Sequence, residues 1–121
     1  MKVLPIVVLL MIVATAEAKP VEVWECKDKY ADSETVLVTA TVEEGRKKGS
    51  ISVAGVTHST QFEVAGFDRR WDFGLLPSRS YRYAFVIEPN GDARYFDFGD
   101  EKEAKARNVM ECRQTDAEKS N

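Results

Sequence analysis

Residues 81–98, YRYAFVIEPNGDARYFDF, decide the fold. Two runs rich in aromatic and β-branched side chains flank Pro89-Asn90-Gly91-Asp92. Such residues fit a pleated, half-buried surface, and Asn-Gly is the strongest short-range hairpin signal. With Asn90 and Gly91 at the turn centre, Phe85 faces Phe96 and Tyr83 faces Phe98. Aromatic cross-strand pairs of this kind contribute about 0.2–1 kcal/mol each.

Outward from this hairpin, short β-rich runs alternate with turn residues, the pattern of a sandwich or barrel. Residues 21–27 open the series. Residues 35–42 place Val36, Val38, Ala40 and Val42 on one side. The charged turn 43–49 leads to a strand at 50–54, with Ile51 and Val53 inward. Strands over 57–64 and 67–73 follow, then the loop 74–80. Residues 99–108 are charged and read as a short helix or a loop, 109–113 form the last strand, and 114–121 read as a flexible polar tail. The expectation is an all-β fold: a small antiparallel β-barrel or sandwich of about eight short strands. Antiparallel order follows because no connection is long enough for a parallel crossover.

The chain has 121 residues, room for one domain. Residues 1–18 read as a signal peptide: Lys2, an apolar run over 3–13, then Ala16 and Ala18 as an A-x-A cleavage site. The run is well short of the roughly 20 apolar residues that span a bilayer. Cleavage after Ala18 leaves a single domain over 19–113 in a secreted or periplasmic setting, with no stable membrane anchor. The net charge of −3, without a basic stripe, argues against nucleic acid as a partner.

Cys26 and Cys112 are the two cysteines, one near each end of the mature domain. In an oxidising compartment an even pair reads as a disulfide. The spacing matches neither a C-x-x-C redox pair nor a zinc motif. The bond would join the N- and C-terminal strands. Closing a loop of this length contributes about 4.5 kcal/mol in the chain-entropy model.

Catalysis needs a nucleophile, a base and an orienting group. His58 is the one imidazole, and its neighbour Ser59 points to the opposite strand face. Asp68 and Asp72 flank Arg69-Arg70-Trp71 and are better placed to pair with arginines than to share a proton. Asp97, Asp100, Glu101 and Glu103 lack the spacing of a calcium loop. These readings imply no enzyme, no cofactor and no metal. Alternation over 67–73 puts Phe67, Arg69, Trp71 and Phe73 on one face, so Arg69 belongs at a strand end or reaches to solvent. Arg69, Arg70, Trp71, Arg79, Tyr81 and Arg82 form the candidate binding patch. Trp, Tyr and Arg are the residues that most often carry interface energy.

Trp24-Glu25-Cys26, the run 49–62 (GSISVAGVTHSTQF) and Met110-Glu111-Cys112 together resemble the periplasmic inhibitors of c-type lysozyme. The resemblance covers most of the mature chain in outline. It does not extend to that family's central Ser-Gly, Tyr and Trp-Lys-Gly segments, so no inhibitory residue carries over. The expected function is a non-enzymatic binding module for a protein or cell-envelope component. The alternative implied by the resemblance is inhibition of a secreted hydrolase such as lysozyme.

Overall fold

The structure, a computed structural model, describes residues 19–99 and 106–115, the side chains of 106–108 excepted. The expected signal peptide, most of the charged 99–108 connection and the stretch after Thr115 lie outside the described residues. Eight strands run in chain order: β1 Pro20–Asp28, β2 Val38–Glu43, β3 Lys48–Val53, β4 Val56–Ala65, β5 Asp68–Leu75, β6 Tyr81–Ile87, β7 Asp92–Asp97 and β8 Ala106–Thr115. Each pairs antiparallel with the next, and β8 pairs back to β1. The result is a closed barrel in simple meander order, which decides between barrel and sandwich. β8 carries two residues of the expected tail, Gln114 and Thr115, as partners of Trp24 and Val23.

Cys26 and Cys112 are direct partners in the β1–β8 register and are joined by the disulfide, with Cα atoms 4.0 Å apart. Lys29 also reaches Asp92 across this seam, Nζ donating to Oδ2 at 2.8 Å.

Alternation fills the interior. Val38, Ala40 and Val42 of β2, Ile51 of β3, Phe62 of β4, Trp71 and Phe73 of β5, and Phe85 and Ile87 of β6 form one core with the disulfide. Trp71 lies at its centre with no exposed surface, against Phe62 and Phe85. Its indole Nε1 donates to the Thr41 carbonyl at 2.8 Å. Gly49 makes room for this ring: a Cβ there would meet the Thr41 carbonyl oxygen and sit 2.9 Å from Trp71 Nε1.

The β6–β7 hairpin departs from the expected register by one residue. Phe85 pairs with Tyr95, and Ala84 with Phe96. A turn centred on Asn90-Gly91 alone requires positive φ at both positions. The loop instead has three residues, with Gly91 donating to the Glu88 carbonyl at 2.9 Å and φ +92° at Gly91. Pro89, with φ fixed near −65°, suits the first corner of a type I turn, and Gly91 takes the left-handed position that follows. A one-residue slip exchanges the faces of a strand. Tyr95 therefore joins Phe73 and Tyr83 inside, while Phe96 lies on the outer wall with Phe98, ring centroids 6.2 Å apart.

Gly49→Ala should lower stability by about 1–3 kcal/mol, the usual cost of overpacking a filled core. Urea unfolding followed by Trp fluorescence measures this, and a wild-type midpoint would contradict the packing described.

Candidate functional site

The barrel has two rims. The near rim holds the start of β1 and the turns after β2, β4 and β6. The far rim holds the 29–37 loop, the Ala54-Gly55 turn and the 76–80 loop. The six candidate binding residues are divided between interior, near rim, outer wall and far rim.

Trp71 is wholly inside and presents nothing to a partner. Arg69 is on the same inner face at the near-rim end of β5, the first of the two positions expected of it. Its Nε donates to Glu22 Oε1 at 2.7 Å and its Nη2 to Oε2 at 3.3 Å. Glu22 also accepts from Trp24 Nε1 at 2.9 Å and from Arg46 Nη1. The Arg69 guanidinium lies 4.9 Å from the Trp24 ring centroid, within cation–π range. This cluster ties β1, the β2–β3 turn and β5 together. The Glu22 side chain is only 3% exposed. Burial alone would raise its pKa, but hydrogen bonds from Arg69, Trp24 and Arg46 outweigh that and hold the carboxyl at about 2. Arg46 stands at φ +56° in the β2–β3 turn, after Gly45 at φ +90°, a backbone state that costs a non-glycine residue about 1–2 kcal/mol. The ion pair is what an arginine supplies there and a glycine would not.

The sequence reading missed Glu22. The signal was present: Glu22, Trp24 and Cys26 share one face of β1, so an acid stands on the disulfide's face, as Arg69 stands on Trp71's.

Arg70, Tyr81 and Arg82 belong to the β5–β6 wall and its far-rim end. Arg70 Nε donates to Asp72 Oδ1 at 3.0 Å, and Arg82 Nε to Asp97 Oδ1 at 3.1 Å. Arg70, Leu76, Ser80, Tyr81 and Phe98 surround a cleft of about 480 Å³. Arg79 is exposed in the 76–80 loop at φ +66°. Beyond Arg70 towards the near rim, a second cleft of about 300 Å³ includes Val86, Arg94 and Phe96. Arg70 lines both clefts, and outward Phe96 joins them to the Phe98 ring.

His58 is an exposed strand residue whose ring lies 5.2 Å from Phe73. Ser59 is paired with Ser50. Among the described residues no three His, Cys, Asp or Glu side chains gather into a metal-binding group. Asp97 engages Arg82, whereas Asp100, Glu101 and Glu103 lie outside the described residues. No known protein family, characterised protein or solved structure matches this chain.

The Glu22 cluster makes stability acid-sensitive in a defined direction. The folded pKa of about 2 lies below the ordinary 4.5. Its contribution is therefore complete above pH 4.5 and is lost as pH falls from there towards 2, on the order of 3 kcal/mol in total. Glu22→Gln should lower stability at neutral pH and flatten the profile across this window. Urea midpoints from pH 7 to pH 2.5 provide the measurement, and an unchanged slope in the variant would refute the assignment.

Proposed function

We propose that this protein is an exported, non-enzymatic binding module that engages a protein partner through the outer wall of β5, β6 and β7. The observation that carries this reading is the division between interior and wall. Trp71, Phe85, Ile51 and Ile87 are fully buried within the barrel, and a small barrel filled by its own side chains leaves its exterior for recognition. The wall has the composition of an interface core, with Arg70, Tyr81, Phe96 and Phe98 around adjoining clefts. The disulfide is consistent with an oxidising compartment, in keeping with the expected leader.

A second reading, inhibition of a secreted hydrolase, is supported by the closed eight-stranded barrel with disulfide-linked terminal strands. Titration into a c-type lysozyme assay tests it directly, and undiminished lysis at a large molar excess of the protein removes it.

For the leading reading, the mature protein is immobilised and exposed to envelope extract, and the retained partner is identified and purified. Its affinity is then measured against wild type and against the double variant Arg70→Ala, Tyr81→Ala. Binding should weaken at least about tenfold, about 1.4 kcal/mol, with the melting temperature kept. Equal affinity for both proteins, or a loss that follows unfolding, would overturn this assignment of the surface.

A further inference from the structure

Phe67 is the most exposed large apolar side chain described, at 87%. The expected alternation placed it on the strand with Trp71, but the strand begins one residue later. Ala65 pairs with Asp68, so Gly66 and Phe67 form a two-residue turn, with φ +66° at Gly66. Such a turn takes glycine at its first central position and is among the tightest hairpin connections. The shoulders are fixed as well: Arg69, two residues on, is clamped by Glu22 and stacked on Trp24. The aromatic ring is thus carried at the apex of an anchored near-rim hairpin, with Val64 also exposed beside it. It forms a preorganised apolar projection, and preorganisation reduces the ordering cost of association.

The far rim carries the matching depression. A cleft of about 400 Å³ opens between the start of β2 and the end of β3. Val36, Leu37, Val38 and Val53 line it, with Met110 from β8, and none of its lining residues is charged. Three other clefts, beside the disulfide and along the β5–β7 wall, each include charged side chains. Volumes of about 300–1,000 Å³ take groups of small-molecule size, ample for a benzyl side chain. A neutral cleft suits an apolar occupant, since any charged group entering it would lose hydration without a partner. The Met110 thioether also suits an aromatic ring, with which sulfur makes favourable contacts.

We propose that the occupant is Phe67 of a second copy of this chain, so that barrels associate head to tail. Projection and cleft lie at opposite rims, which makes the contact heterologous. Repetition of a heterologous contact that does not close extends into a row. One seated side chain and its surroundings fall short of the roughly 1,200 Å² typical of a specific stable interface. The association is therefore weak and grows with protein concentration. The far-rim cleft lies apart from the β5–β7 wall, the Phe67 turn adjoins that wall through Ala65 and Asp68, and the self-association does not require that wall's partner.

Sedimentation equilibrium of the oxidised mature protein over a wide concentration range tests this. Wild type should show an average mass that rises with concentration and passes that of a dimer. Phe67→Ser lacks the projection and Leu37→Asp blocks the cleft. Both positions are exposed, and unchanged melting temperatures and Trp fluorescence check that the fold is kept. Each variant alone should stay monomeric. An equimolar mixture should form dimers and no larger species, because Leu37→Asp still offers Phe67 and Phe67→Ser still offers the cleft. A monomeric wild type at the highest concentrations would overturn the proposal. So would growth that survives either substitution, or a mixture that stays monomeric.

Discussion

The β1–β8 seam is the constraint on which the barrel depends. Seven of the eight strand pairings join neighbours in sequence and form as hairpins or near-hairpins. The eighth joins segments that begin and end the described fold, with the bonded cysteines 86 residues apart. Loop closure over that separation costs about 2 kcal/mol more than closing a ten-residue hairpin. Without it, β1 and β8 would each present a row of unpaired backbone donors and acceptors, the exposed edge that promotes aggregation. Cys26 and Cys112 place a covalent link at the one pairing that local sequence cannot enforce. The bond is also part of the core, so the same two residues close the wall and fill the space behind it.

A buried ion cluster at the near rim is costly to maintain. A lone buried carboxylate is strongly disfavoured, and a paired one gains back its desolvation only when its hydrogen bonds are well made. Glu22 accepts from two arginines and an indole, and those donors come from three separate parts of the chain. An apolar plug would fill the same space without fixing where the hairpins stand relative to one another. The charged cluster defines that arrangement and so aligns the Phe67 turn with the barrel. The cost falls on acid stability, because protonating one carboxyl weakens all three attachments together.

Much of this was legible in the sequence, and the misses have definite causes. Alternation identified the β2 and β3 inner faces, except for Val36, which is exposed ahead of β2; the even pair of cysteines identified the staple; and the misfit of Arg69 on an apolar face left a strand end or solvent, of which the structure shows the strand end. Three features were misread. Asn90-Gly91 suggests a two-residue turn, but Pro89 favours a three-residue loop, and that single residue reverses which β7 side chains face inward. Phe67 reads as the first inward residue of a strand, yet the Gly66 turn takes it out of the sheet. Glu22 looks like an ordinary solvated acid, since its partners at 46 and 69 are distant in sequence and meet it only once the barrel closes. Local patterns fix which residues can face inward, whereas turn geometry and closure fix which ones do.

The one-residue slip at the β6–β7 turn also bears on function. In the expected register Phe96 would have faced Phe85 inside the barrel, leaving Tyr95 with Ala93 and Asp97 on the outer wall. In the observed register Tyr95 takes the interior place, where Phe73 and Tyr83 receive its ring. Phe96 moves to the outer wall beside Phe98, between the clefts that Arg70 lines. Half-buried aromatic rings outside a barrel forgo part of the stabilisation that full burial brings, about 1.5–3 kcal/mol for a side chain of this size. That loss is recovered only when another surface covers the rings. The turn residues, far from any catalytic chemistry, thus decide that Phe96 rather than Tyr95 stands on the outer wall on which recognition by a partner would depend.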